Sequence, residues 1–147
     1  MEKTVVISIK GIQKYENADT DTVELVTEGK LAWDGPLYTL TYEESEITGL
    51  GSTLTTILVE GEQVTMMRAG EFNSQMVFQE GRRHLSLYNT PYGSMTIGVH
   101  TNHLLAELTE QGGDIEVDYA IEMDHAVAGR NIFHINVKEA DSASLKQ

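Results

Sequence analysis

Arg68 is the residue whose type and position point most directly to chemistry. In the run VTMMRAG (64–70), Val64, Met66 and Arg68 recur at every second position, so in a strand their side chains would share one face. If that face lines the interior of a barrel, the guanidinium lies at the inner mouth of a pocket, where it could hold a carboxylate bidentately. The competing and commoner outcome is a strand-end arginine that reaches water or pairs with an acidic group.

A second candidate stretch is YNTPYGSM, residues 88–95. Pro91 cannot donate to a strand ladder and Gly93 permits a turn, so the stretch is typical of a corner between two strands. Tyr88 and Tyr92 add apolar rings with polar tips, which suits the rim of a pocket as well as a plug held by backbone groups. Arg68, Tyr88 and Tyr92 are therefore the candidate ligand-binding residues.

Patterns for catalysis or metal binding are weak. The carboxylates of EESE (43–46) could divide acid and base roles, but in so acidic a chain they are better explained as solvated side chains. The chain has five histidines and no cysteine, and no two histidines have the spacing of a strong metal site. A GxSxG elbow is also absent. We predict no catalytic residue, no metal and no cofactor, and favour a role other than an enzyme's.

Composition limits the partners. The 147 residues include 23 Asp and Glu against 10 Lys and Arg, a net charge of −13 that would repel nucleic acid and anionic membranes. No stretch approaches the roughly 18 uninterrupted apolar residues of a membrane-spanning helix. The beginning, MEKTVVISIKG, lacks the basic and long apolar parts of a secretory signal. We expect a cytoplasmic protein without nucleic-acid or membrane partners.

Alternation of apolar and polar residues dominates the chain and predicts β-strands. It is clearest in GDIEVDYAIEMDH (113–125), where Ile115, Val117 and Tyr119 face one way and acidic residues face the other. About ten candidate strands result: 4–11, 22–28, 37–45, 53–60, 63–69, 73–80, 83–89, 94–100, 113–125 and 131–138.

Short turn signals separate these strands, and most contain glycine. They lie at 16–21, 34–36, 48–51, 60–62, 69–72, 80–83, 111–114 and 128–131. Connections this short favour antiparallel neighbours, and closing such a sheet hides its edges. The sequence therefore predicts an all-β, antiparallel, up-and-down barrel of about eight to ten strands. We expect a single barrel domain over residues 1–140, with a frayed tail at 141–147.

The segment TNHLLAELTEQGG (101–113) has two interpretations. Leu104, Leu105 and Leu108 have helical spacing behind a possible cap at Asn102, which favours a short helix. Thr101, however, continues the alternation of the preceding strand. A strand containing a bulge also fits and is the interpretation we favour.

Four runs resemble, in order and spacing, the small bacterial YwiB-like family of unknown function. They are VVISIKGIQKY, YEESEITGLGST, NSQMVFQEGRRHLSLYNTPYGSMTIGV and GGDIEVDYAIEMDH, and the resemblance extends from about Val5 to Val137. It implies a calycin-type, lipocalin-like β-barrel, but it brings no catalytic or ligand residue with it.

Two functions follow as hypotheses. The first is binding of a small apolar or amphipathic acid inside the barrel, with methionines 66, 67, 76, 95 and 123 as an adaptable lining. The second is a solid-core barrel that acts through protein–protein interaction on its acidic surface. The oligomeric state is left open by the sequence.

Overall fold

The computed structural model describes residues 1–15, 20–44, 53–70, 73–90, 93–123 and 126–140. The predicted tail at 141–147 and the turn at 48–51 lie outside this part of the chain. The described residues form ten strands: β1 Glu2–Tyr15, β2 Thr20–Asp34, β3 Leu37–Glu44, β4 Thr53–Glu60, β5 Gln63–Ala69, β6 Asn73–Gln79, β7 Arg83–Thr90, β8 Gly93–Thr109, β9 Gly112–Met123 and β10 Ala126–Glu139.

The strands form a closed antiparallel barrel in which each pairs with the next in sequence and β1 pairs with β10. The predicted up-and-down architecture is therefore confirmed. Where the structure describes them, the hairpin ends carry glycine with positive φ, for example Gly35 (φ 59°) and Gly61 (φ 61°), as the turn signals predicted. Within the described residues, no helix is long and apolar enough to cross a membrane.

Alternation places the apolar face of each strand inside the barrel, and the end bearing the turns at Gly35 and Gly61 is solidly packed. Its fully or nearly fully buried side chains include Val5, Leu40, Val64, Phe78 and Val137. Connections of only a few residues close this end, so the strands converge and their side chains meet. The packed half holds the other half of the barrel in shape.

The segment 101–113 is a strand with a bulge, which settles the ambiguity in favour of the second interpretation. Thr101 lies opposite Tyr119 while His103 lies opposite Asp118, so Asn102 is the extra residue. The extra residue shifts the alternation, so that Leu104 and Leu108 face the core after it, while Leu105 faces the other side of the strand. The helical spacing of the three leucines therefore arises without a helix.

The turn predicted at 128–131 is wrong. These residues belong to β10, which starts at Ala126 and has its irregularity between Val127 and Gly129. Gly129 and Asn131 are typical of turns, but ladders on both sides hold them extended, because β10 pairs with β1 and β9 throughout this region. Tertiary pairing has overridden local preference here.

The weakest seam in the described barrel wall lies between β6 and β7. Their ladder consists of two residue pairs, Asn73–Asn89 and Ser74–Tyr88, whereas β7 and β8 share eight. The tip of the β6–β7 hairpin is instead bonded to Thr101 of β8: the Gly81 N–H donates to the Thr101 carbonyl (2.8 Å) and the Thr101 N–H donates to the Arg82 carbonyl (3.1 Å).

Candidate functional site

A cavity of about 470 Å³ occupies the half of the barrel opposite the packed end. It exists partly because glycine takes inward positions where the alternation would place a side chain. Gly11 of β1 and Gly129 of β10 both line it, and a Cβ on Gly11 would meet no atom within 4 Å. The barrel is thus hollow at one end and solid at the other.

Three aromatic rings separate the cavity from the packed half. Phe78 stacks against Tyr119 and Phe133, with centroid distances of 4.8 and 5.8 Å, and Tyr119 and Phe133 line the cavity. Such tilted and edge-on contacts are the favourable arrangements for aromatic pairs. These rings give the cavity a rigid floor.

The walls above this floor are mainly apolar. Four of the five methionines suggested by the sequence line the cavity: Met66, Met76, Met95 and Met123. Met67 does not, because it alternates with Met66 and faces the other side of β5. Unbranched, polarisable side chains of this kind adapt to ligands of different shape.

Arg68 lies on the cavity wall, as the first of its two interpretations required. It is the only charged side chain among the described lining residues, and its Nε atom is shielded from solvent. It points inward because it continues the period of Val64 and Met66, both buried. A ligand role for Arg68 stays a prediction.

A second polar feature of the cavity wall is the hydrogen-bonded pair Asn131 and Tyr119. This pair was not identified from the sequence. The Asn131 side-chain Nδ2 donates a hydrogen bond to the Tyr119 hydroxyl oxygen at 3.1 Å, and both residues line the cavity. Gln13, opposite Asn131 in the β1–β10 ladder, lines it too. Asn131 continues the alternation of Phe133 and Ile135 at the start of the predicted strand 131–138, but it was also assigned to the turn predicted at 128–131 and was not identified as a wall residue.

The structure describes only part of the two candidate tyrosines, Tyr88 and Tyr92. Tyr88 belongs to β7, where its backbone pairs with Ser74 and Met95, and its side chain lies outside the described part of the structure. Tyr92 also lies outside it. Gly93 has a φ of 137°, in agreement with the predicted corner. The structure therefore brings Tyr88 next to a lining residue, Met95, without testing a ligand role for either tyrosine.

Several described titratable groups on the outer surface pair with one another. Arg130 donates two hydrogen bonds to Asp118, at 2.9 and 2.6 Å, and this contact lowers the pKa of Asp118. Hydrogen bonds from Asn136 and His134 lower the pKa of Asp114. His103 lies 3.3 Å from Glu80. Among the described residues, no three histidines or carboxylates come close enough together to hold a metal ion.

Comparison with known proteins places this barrel in a family. The sequence matches the family described as "Domain of unknown function (DUF1934)" over residues 7–135. Among solved structures, the crystal structure of the YwiB protein from Bacillus subtilis is similar, with a TM-score of 0.82 and 19% sequence identity over 95% of this chain and 94% of that one. At this identity the likeness shows a shared fold. No curated protein matches the chain.

Proposed function

The chain belongs to the DUF1934 family of YwiB-like barrels, and we propose that it binds a small, largely apolar molecule carrying an acid group. The observation that carries this proposal is the composition of the cavity wall, which is apolar except for a few polar groups and Arg68. Ligand pockets in proteins have this character: apolar walls supply affinity, and a few placed polar groups supply orientation.

The volume of the cavity supports the same proposal. About 470 Å³ lies within the range of roughly 300–1,000 Å³ that is usual for small-molecule sites. The methionine lining accommodates flexible or irregular apolar bodies, whereas a rigid aromatic floor limits how deeply they enter. The ligand class is therefore a compact amphiphile.

Arg68 is the reason for expecting a negatively charged ligand. The guanidinium fork matches a carboxylate with two parallel hydrogen bonds, and such bonds are stronger in a site that excludes water. The chain as a whole has a net charge of −13, so an arginine on an apolar interior wall favours an anionic ligand that the outer surface would repel.

The test compares an acid with its uncharged ester. A fluorescent apolar probe is bound to the purified protein and displaced by dodecanoic acid or by methyl dodecanoate. We expect the acid to bind about tenfold more tightly, which corresponds to about 1.4 kcal/mol. The Arg68→Gln variant is expected to lose this preference while it still binds the probe.

Arg82→Gln is the matched control, because it removes one positive charge from an exposed position outside the cavity. It is expected to keep the preference for the acid. Native mass spectrometry of protein taken directly from its expression host adds a search for a co-purifying ligand. Absence of probe binding, or equal binding of acid and ester to the wild-type protein, would remove the basis of the proposal.

Protein–protein interaction on the acidic surface is the other hypothesis. The described outer face of β9 carries Asp114, Glu116, Asp118 and Glu122, and three of these four acidic residues have a basic partner: Asp114 pairs with His134, Asp118 with Arg130 and Glu122 with Arg83. Carboxylates that are paired within the barrel offer less attraction to a basic partner protein. This internal pairing is why we favour the cavity over the surface.

A further inference from the structure

We propose that the ligand is polar at both ends, with its acid group at Arg68 and a second hydrogen-bonding group at Asn131 on the opposite wall. This inference rests on the proposed function and adds the chemical class of the ligand: an apolar chain or ring system with a carboxylate at one end and a hydroxyl or carbonyl at the other.

The order of the strands puts the two groups across the cavity from each other. Arg68 belongs to β5 and Asn131 to β10. In the closed barrel, four strands separate β5 from β10 in one direction, β6 to β9, and four in the other, β1 to β4. Both side chains line the same cavity, so they mark opposite walls of one binding space.

Asn131 has a fixed orientation. Its Nδ2 donates to the hydroxyl oxygen of Tyr119, a residue only 8% exposed, whose ring packs 4.8 Å from Phe78. Packing against Phe78 therefore holds the ring of Tyr119 in place. The Tyr119 hydroxyl in turn orients the Asn131 carboxamide. This bond uses one N–H of the carboxamide, so the carbonyl oxygen and the other N–H can bind a ligand.

Because of its surroundings, hydrogen bonding between the Asn131 carboxamide and a ligand should affect the ligand's affinity. Its neighbours on the wall include the apolar residues Ile121, Ile132 and Phe133, and the polar Gln13 lies opposite it in the β1–β10 ladder. A ligand that fills the cavity displaces the water around the carboxamide, and a polar group left without a partner in such a site reduces affinity. A site of this kind favours a ligand with a complementary hydroxyl or carbonyl over one without.

The rest of the wall is mainly apolar, which completes the description of the ligand. Met66, Met76 and Met123 line the cavity, and no described lining residue other than Arg68 is charged. A simple fatty acid would satisfy Arg68 and the methionines but would offer no partner to the Asn131 carbonyl oxygen. A terminally hydroxylated acid would satisfy all three.

The experiment compares dodecanoic acid with 12-hydroxydodecanoic acid by displacement of the same fluorescent probe from the wild-type protein. A hydroxyl is costly to transfer from water, so without a partner it would weaken binding. We expect instead that the hydroxy acid binds about fivefold more tightly, as one hydrogen bond provides. Asn131→Leu, which is similar in size but apolar, is expected to reverse this order.

Two further variants separate the possible causes. Asn136→Leu removes an asparagine of the same strand whose side chain donates to Asp114 away from the cavity, and it is expected to leave the preference unchanged. Arg68→Gln is expected to weaken both acids by the same factor. The wild-type comparison needs no variant, so the test does not depend on how Asn131→Leu folds.

Each outcome has a distinct meaning. Tighter binding of the hydroxy acid that is lost in Asn131→Leu supports the inference. Equal binding of the two acids, or a preference that survives in Asn131→Leu, overturns it and leaves the proposed function standing. Failure of both acids and of the probe to bind overturns the proposed function and this inference together.

Discussion

Charged and polar side chains have different surroundings on the outer surface and on the cavity wall. On the outer surface Asp118 accepts two hydrogen bonds from Arg130, and Lys3 pairs with Glu139. The described cavity wall contains the guanidinium of Arg68 and the carboxamides of Gln13 and Asn131 among mainly apolar side chains. Apolar walls with a few polar groups are typical of small-molecule sites, and this likeness is the reason for the proposed ligand.

The Asp118–Arg130 pair gives a pH dependence at the residue scale. Hydrogen bonding from Arg130 lowers the pKa of Asp118 below its ordinary value of 3.8. The carboxylate therefore stabilises the fold above about pH 4, and this contribution is lost as the pH falls through the lowered pKa of the folded state. Unfolding by urea between pH 2 and 6 is expected to show a smaller acid loss of stability in Asp118→Asn than in the wild type.

Asp21→Asn is a suitable control for that measurement, since Asp21 is an exposed carboxylate of β2. The pH profile of this variant is expected to match that of the wild type. If Asp118→Asn also matches the wild type, the Arg130 contact contributes nothing to stability in solution.

Ser86 provides a second residue-scale prediction. Its side chain is 5% exposed, and its hydroxyl oxygen has no hydrogen-bond partner within the described residues. Burial of an unpaired hydroxyl is unfavourable, so Ser86→Ala is expected to raise the free energy of unfolding by about 1 kcal/mol. Chemical denaturation measures this change. Destabilisation by Ser86→Ala would mean that the hydroxyl is bonded in solution, for example to a buried water.

At the scale of elements, the seam between β6 and β7 is the least bonded part of the described wall. Two ladder pairs join these strands, against seven between β4 and β5. Met76 of β6 and Ile97 of β8 line the cavity on either side of β7, so the seam runs beside the binding space. Local opening at such a place requires few hydrogen bonds to break.

Hydrogen exchange tests whether the β6–β7 seam is less protected than the fully paired strand β4. Residues 75–79 of β6 also pair with β5, and the Gln79 N–H donates to Thr101, so the seam in the described wall leaves the amides of Gln75 and Val77 on the β7 side without ladder partners. These two amides are expected to exchange at least about tenfold faster than those of 55–59 in β4, which are paired on both sides. Mass spectrometry of peptides from each strand gives the two rates. Equal protection of both strands would show that β6 and β7 are fully paired in solution.

Particular elements show how far the sequence predicted this fold. The strict alternation of β9 located that strand well, because one wet and one buried face leave a clear pattern. The seam was not predictable, since NSQMVFQEGRRHLSLYN is an ordinary hairpin sequence and its loosening depends on distant contacts with Thr101. Arg68 was found by its period, whereas Asn131 was missed because Gly129 and Arg130 before it are typical of a turn.

On the scale of the whole molecule, the barrel gives up packing in one half to keep a cavity. The floor formed by Phe78, Tyr119 and Phe133 separates a half that is filled from a half that is hollow. A hollow interior lacks the contacts that a filled one would make, so the cavity costs stability. The glycine at position 11 is the clearest place where that cost can be measured.

Filling part of the cavity is expected to raise stability and weaken binding together. A Cβ on Gly11 would meet no atom within 4 Å, so the cavity has room at this position, and Gly11→Val also removes backbone freedom from the unfolded chain. We expect an increase of about 1 kcal/mol in the free energy of unfolding, measured with urea, and weaker probe binding. Such opposition between stability and activity is common where function needs an imperfectly packed site.

Gly29→Val is the matched control for Gly11→Val, because Gly29 lies on the neighbouring strand β2 and has no such space. Its Cβ would collide with the Ile7 side chain and the Thr41 carbonyl oxygen, so a loss of about 2 kcal/mol or more is expected. If both variants lower stability, the space beside Gly11 is closed in solution, and the barrel is solid throughout. If Gly11→Val is stable and binds the probe as tightly as the wild type, position 11 lies outside the space that the probe occupies.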